Sequence, residues 1–252
     1  MAGHSKWSNI KHKKAKEDAR RAKIFSKHIR EINVAAREGG GDPEMNARLS
    51  MAIENAKAVN MPKENIERAV KKGTGELDDG SGAYEDATYE GYGPGGIAFF
   101  VEVTTNNYNR TVGDIRHIFS KYGGNLGQDG SVDYLFNQIG LIKISSAGLD
   151  DEEMMLTAID AGAKDVEEVD GYFEVSTVRE DLFDVREYLE VQGCQIENAE
   201  LIRVPMTEVK ADSQTATSNL KLMDALEDND DVSKVFTNMK MDEETLAIAE
   251  EL

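Results

Sequence analysis

IGLIKISSAGLDDEEMMLTAIDAGAKDVEEVDGYFEVSTV, residues 139–178, decides how the chain is put together. GLIKIS (140–145) is apolar and β-branched enough to be a strand. DEEMMLTAIDAG (151–162) predicts a helix that Gly162 closes. Two further strands are expected near 164–168 and 171–177, split by the turn pair Asp170–Gly171. REDLFDVREYLEVQG (179–193) then predicts a second helix, and IENAELIRV (196–204) a last strand. The order is β-α-β-β-α-β, the split-βαβ ferredoxin-like arrangement.

Strand and helix signals on either side of this block complement one another. TYEGYGPGGIAFFVEVTT (88–105) holds two strand-like runs around a Gly-Pro-Gly-Gly turn. Val112, Ile115, Ile118, Phe119 and Tyr122 recur at helical spacing up to Gly123–Gly124, and SVDYLF (131–136) predicts a strand. After the block come a strand at 205–210, a helix at 214–227 and a strand at 232–238. Residues 82–137 and 205–252 are therefore expected to form one α/β domain, with the ferredoxin-like domain, 138–204, inserted into it.

Upstream lies GTGELDDGSGA (73–83), a linker by composition. Before it three short amphipathic helices are expected. Phe25, Ile29, Ile32 and Ala36 mark the first, over 18–38, ended by Gly39–Gly40–Gly41. The second is expected to start at Asp42–Pro43 and to carry Met45, Leu49, Ile53 and Ala56 inward. Pro62 opens the third, with Ile66, Ala69 and Val70 inward and Gly73 as its stop. None of these stripes is stable alone, so residues 1–75 read as a basic arm joined to a helical bundle. The fold class is α+β: an N-terminal helical bundle followed by two α/β domains, the second inserted into the first.

Charge divides the chain as sharply as periodicity does. The 252 residues carry a net charge of −19. Residues 1–75 hold 17 Lys and Arg against 9 Asp and Glu, while residues 76–252 hold 12 against 39. Within the first stretch, residues 1–38 alone are net +7. Lys6, Lys11, Lys13, Lys14, Lys16, Arg20, Arg21 and Lys23 lie within eighteen residues. Cations this dense repel one another and favour a polyanionic partner. Trp7 and His12 are interleaved with them, and aromatic rings among cations suit stacking on unpaired bases. These ten residues form the expected nucleic-acid-binding set. The acidic remainder repels phosphate and confines binding to one end.

Other chemistries find little support. YEGYGPGG (89–96) lacks the G-x-x-x-x-G-K-[ST] pattern and leads into a strand, so it reads as a hairpin turn and not a phosphate loop. The four histidines have no metal-ligand spacing, and the acidic pairs, Asp230–Asp231 among them, read as solvated surface. Arg110, in NRT (109–111), is expected to have a structural role. The single cysteine, Cys194, forms no internal disulfide and fits a reducing compartment. With neither an apolar run long enough to span a bilayer nor a secretory signal, a cytoplasmic protein without a membrane partner is expected. With no nucleophile–base–orienter set, it is expected to be non-enzymatic, without cofactor, metal or small-molecule substrate.

Seven stretches together resemble the YebC/PmpR family: MAGHSKW (1–7), RAKIFSK (21–27), GGGDP (39–43), NMPKENIERAVKKG (60–73), YEGYGPGG, NRT and GGNLGQDGSVDYLF (123–136). The family's members are described as probable transcriptional regulators, and a mitochondrial relative as a translational activator of cytochrome c oxidase. The resemblance implies three domains and a regulator of gene expression that binds DNA. Its alternative is a ribosome-associated translation factor that binds ribosomal RNA and relieves stalling at proline-rich stretches.

Overall fold

The computed structural model describes residues 17–77, 80 and 82–252, with side chains from residue 21 onward. These residues gather into two compact units, one of 17–30, 80, 82–137 and 204–252, the other of 31–77 and 138–203.

The first unit is built on a four-stranded sheet of order β3-β1-β2-β8. Strands β1 (Glu85–Tyr92) and β2 (Ala98–Thr105) form the expected antiparallel hairpin. Its turn closes through Gly93 N–H donating to Ile97 O (2.8 Å). The glycines here serve close packing. A Cβ on Gly91 would sit 2.8 Å from the Phe119 ring, and one on Gly93 would collide with Asn219, whose Nδ2 donates to Pro94 O (2.9 Å). The short β3 (Asn125–Leu126) pairs with β1, and β8 (Val232–Thr237) with the other edge of β2. Helices α4 (Tyr108–Lys121) and α7 (Ser213–Glu227) bury Ile115, Phe119, Leu220 and Met223 against Phe99, Val101 and Val235 of the sheet. Phe99 and Phe119 meet edge to face, with centroids 6.0 Å apart.

SVDYLF departs from expectation. Residues Asp133–Leu135 form a 3₁₀ turn, and strand β4 begins only at Phe136. The cause is Glu90, 5% exposed, whose carboxylate accepts from the N–H groups of Gly130 (2.7 Å), Val132 (2.5 Å) and Asp133 (2.9 Å). N–H groups held by a carboxylate cannot also join a ladder. Replacing Glu90 with Ala is expected to cost about 3 kcal/mol, since it strips three backbone donors, that of buried Val132 among them, of a charged acceptor. Urea melts of the two chains measure this, and a loss under about 0.5 kcal/mol would show that the turn holds without the carboxylate.

The second unit contains the opening block of the sequence. Strands β4 (Phe136–Ser145), β5 (Asp165–Val169), β6 (Tyr172–Val178) and β7 (Ile196–Pro205) form a sheet of order β5-β6-β4-β7. Helices α5 (Asp151–Asp160) and α6 (Leu182–Val191) complete the ferredoxin-like order. Asp170 and Gly171, at φ 52° and 82°, supply the two positive dihedrals that a two-residue hairpin turn demands. Met154, Ala158, Val185 and Leu189 pack on Ile142, Ile144, Phe173 and Val175. The strands of this sheet all fall between β3 and β8 of the other in sequence, so the chain leaves the first sheet, builds the second and returns.

Three helical elements precede the sheets. Helix α1 (Glu17–Gly39) runs through both units, while α2 (Ala47–Ala58) and α3 (Lys63–Gly73) belong to the second. The start of α2 differs from the Asp42–Pro43 expectation. Residues 43–45 are a turn, Met45 is 83% exposed, and the N-cap is Asn46. Its Oδ1 accepts from Leu49 N–H (3.1 Å), while Nδ2 donates to Ala35 O (2.7 Å) and Gly40 O (2.8 Å). An amide satisfies three partners here, where the Asp42 carboxylate offers no donor. Later on α2, Asn55 borders the sheet: Nδ2 donates to Ala199 O (2.8 Å), and Oδ1 accepts from Ala199 N–H (3.1 Å). The side-chain amide thus imitates a neighbouring strand at the edge of β7.

Two differences concern the C-terminal segment. The strand expected at 205–210 is reduced to a parallel bridge between Val209 and Met239. An additional helix, α8 (Glu243–Glu251), follows β8, capped by Asp242, which accepts from Thr245 N–H (3.1 Å).

Candidate nucleic-acid interface

Helix α1 is amphipathic in two senses. Phe25, Ile29, Ile32 and Ala36 repeat at intervals of four, three and four. Lys23, Lys27 and Arg30 repeat at four and three along the opposite side, so cations form a stripe of their own.

The part of this stripe within the first unit faces the acidic turn between α7 and β8. Lys23 Nζ lies 2.9 Å from Asp228 Oδ1. Lys27 Nζ reaches the carbonyls of Glu227 and Ser233, each at 3.5 Å. Arg30 donates to the carbonyl of Asp230 and lies 3.2 Å from Asp231 Oδ1, with its guanidinium 5.3 Å from the Tyr84 ring centroid.

Asp231 is the centre of this arrangement and is buried, only 4% exposed. Its Oδ2 accepts from Arg110 Nη2 (2.7 Å) and Thr111 Oγ1 (2.7 Å), with Arg110 Nε at 3.3 Å and the Thr105 hydroxyl at 3.4 Å. Burial alone would push this carboxyl up. The hydrogen bonds from Arg110 and Thr111, with the charges of Arg110 and Arg30, outweigh burial and hold it below the ordinary aspartate value. The reading of Asp230–Asp231 as solvated surface is therefore corrected for Asp231. Arg110 has the structural role expected of it, as the main partner of this carboxylate.

Of the ten expected nucleic-acid-binding residues, Lys6, Trp7, Lys11, His12, Lys13, Lys14 and Lys16 lie outside the described residues. Arg20 is placed on α1 by its backbone, and its side chain is outside the description. Arg21 is exposed, with its guanidinium 5.4 Å from the Phe25 ring centroid. Lys23 is half-buried against Asp228. Sequence reasoning missed Asp228, Asp231, Thr105 and Thr111, the groups that receive or flank the cations. The signal available for them was weak: the acid-rich DNDD (228–231) and the NRT motif stand 117 residues apart, and neither announces the other.

Other candidate chemistry is limited. Among the described residues no three His, Cys, Asp or Glu side chains are grouped so as to hold a metal. The Cys194 thiol is pushed up by burial and lies 3.9 Å from Met154 Sδ, which is the setting of a packing residue and not of a nucleophile. No helix among the described residues is long and apolar enough to cross a membrane.

Comparison with known proteins covers nearly the whole chain. The family model described as the TACO1/YebC protein N-terminal domain matches residues 5–76, and that described as the TACO1/YebC second and third domain matches residues 84–239. A protein of Persephonella marina is 55% identical over 248 residues, covering 98% of both chains, and one of Geobacter sulfurreducens is 52% identical over 246, again covering 98% of each. Both are named probable transcriptional regulatory proteins. The crystal structure of a conserved hypothetical protein from Aquifex aeolicus superposes with a TM-score of 0.84 at 50% identity, over 92% of this chain and 95% of that one.

Proposed function

Because the chain belongs to the TACO1/YebC family, we propose that it regulates gene expression in the cytoplasm by binding nucleic acid through its basic N-terminal segment, with no catalytic reaction of its own. The observation that carries this reading is the concentration of charge: net +7 in residues 1–38 of a chain whose total is −19. Phosphate chains are attracted to that segment and repelled by the remainder, which orients the complex as well as forming it. The names of the relatives support a regulator. Trp7 and His12 among the lysines favour unpaired RNA bases as one form of the target, which keeps ribosomal RNA beside DNA as the polyanion.

A division of labour within the cations is part of this reading. Lys23, Lys27 and Arg30 already face carboxylates and carbonyls of the first unit. The proposed phosphate-binding work therefore falls chiefly on Lys6, Lys11, Lys13, Lys14 and Lys16, with exposed Arg21 beside them.

One salt series on the intact chain, with duplex DNA, a structured RNA and whole ribosomes, tests this reading. Engaging ~6 phosphates gives a log–log slope near −5 on duplex and −4 on single strands. Replacing Lys11, Lys13 and Lys14 with Glu is expected to weaken binding at least 100-fold on the preferred target. Tighter duplex binding with sequence preference identifies DNA as the target, and ribosome co-sedimentation abolished by the triple change identifies ribosomal RNA. A slope near zero on all three would sink the reading.

A further inference from the structure

Helix α5 presents apolar side chains to solvent where a surface helix ordinarily carries polar ones. Its inward face is already complete, because Met154 and Ala158 are buried in the core of the second unit. On the opposite side Met155, Leu156 and Ile159 are 49%, 64% and 58% exposed. Spaced at i, i+1 and i+4, they form one continuous patch. Leu149, just before the helix, is 37% exposed as well. Singly exposed apolar residues need no explanation, but several grouped on one helix face mark a surface that something covers.

The charge around the patch selects the occupant. Asp151, Glu152, Glu153 and Asp160 are all exposed, and α5 contains no Lys or Arg. Nucleic acid and anionic lipid are repelled by such a rim. The acidic residues 76–252 of a second copy are repelled as well; its basic residues 1–38 are not, and a dimer is therefore one of the outcomes tested below. A segment that offers apolar groups flanked by cations satisfies both the patch and its rim. Met at position 155 suits such a surface, since its flexible thioether adapts to a partner's shape.

We propose that the outer face of α5 is a docking surface for an amphipathic helix of a basic partner protein, seated by Met155, Leu156 and Ile159 and oriented by the carboxylates around them. The proposal is independent of the nucleic-acid reading, because the residues, the unit and the sign of the partner's charge all differ.

The test is an NMR titration of the intact, ¹⁵N-labelled chain. The probe is a synthetic Leu/Lys peptide of about 15 residues, long enough to form an amphipathic helix, with Leu at i, i+3, i+4 and i+7. Two control peptides accompany it: one of the same composition with the periodicity scrambled, one with Glu in place of Lys. Amide shifts are expected to concentrate in residues 149–160, with the scrambled and Glu peptides at least 10-fold weaker. The double change L156S/I159S should weaken the first peptide at least 10-fold while leaving the melting temperature unchanged, as both side chains are exposed. E152K/D160K should do the same through the rim. Equal binding of the scrambled peptide, shifts spread over the acidic surface, or indifference to L156S/I159S overturns the proposal. So does a monomer–dimer equilibrium abolished by L156S/I159S, which would make a second copy the occupant.

Discussion

A chain that begins at Glu17 is expected to bind duplex DNA or structured RNA on the order of 1000-fold more weakly than the full chain at ~0.1 M salt. The deletion removes Lys6, Lys11, Lys13, Lys14 and Lys16, with Trp7 and His12. Each cation that neutralises a phosphate contributes about 0.9 to the salt slope on duplex, so the slope should flatten by roughly 4 to 5. Arg20 and exposed Arg21 remain on α1, but two charges do not replace five. Lys23 pairs with Asp228, and Arg30 is shared between Asp231 and a carbonyl. Moving either onto a phosphate forfeits those interactions, which reduces any net gain. Fluorescence anisotropy over a salt series measures both quantities, and a circular dichroism melt of each chain checks that the fold is intact. Unchanged affinity and slope in the shortened chain would move the interface elsewhere.

Replacing Asp231 with Ala is expected to cost about 3 kcal/mol, or roughly 6–12 °C in melting temperature for a chain of this length. Removing one member of a buried pair leaves the other charge without its partner, and two guanidiniums, those of Arg30 and Arg110, converge on this carboxylate. The figure sits at the low end of the range for buried pairs because the Arg110 side chain is 48% exposed and regains water. A pH series adds a sign. The carboxyl of Asp231 is held below its ordinary value in the folded chain, so the unfolded chain takes up its proton first as pH falls. Its contribution is therefore full above the unfolded aspartate pKa of ~3.9 and declines as pH drops through the lower, folded value. The difference between the native chain and D231N should accordingly be largest near pH 7 and shrink below about pH 4. A difference that grows on acidification would contradict the assignment. By comparison, neutralising half-exposed Lys23 or exposed Asp228 should cost ~1 kcal/mol or less.

Local chemistry accounts for the parts of the fold that could be read in advance. The Asp170–Gly171 turn, the stripe on α1 and the Pro62 start of α3 each depend on residues within a few positions of one another. The failures share the opposite property. SVDYLF is strand-like in itself, yet Glu90, about forty residues earlier, captures the N–H groups a strand would need. Asp42–Pro43 is a sound helix start in isolation, yet Asn46 wins because its amide also reaches Ala35 and Gly40. In both cases a side chain satisfied backbone groups outside its own turn, 6 and 11 positions away for Asn46 and 40 to 43 for Glu90, and so overrode the local signal.

The candidate site divides along the same line. Neighbouring residues alone specify the β-α-β-β-α-β order, the hairpin at 93–96 and the segregation of positive charge into the N-terminal segment, since periodicity, turn chemistry and charge are local properties. Which cations face carboxylates, and which acidic residue is buried, follows from packing between distant segments. Asp231 lies 201 residues from Arg30 and 121 from Arg110. A carboxylate in a run of four polar residues differs from its solvated neighbours only in what folding brings against it, and that is set by the packing of α1, α4 and β8 around one point.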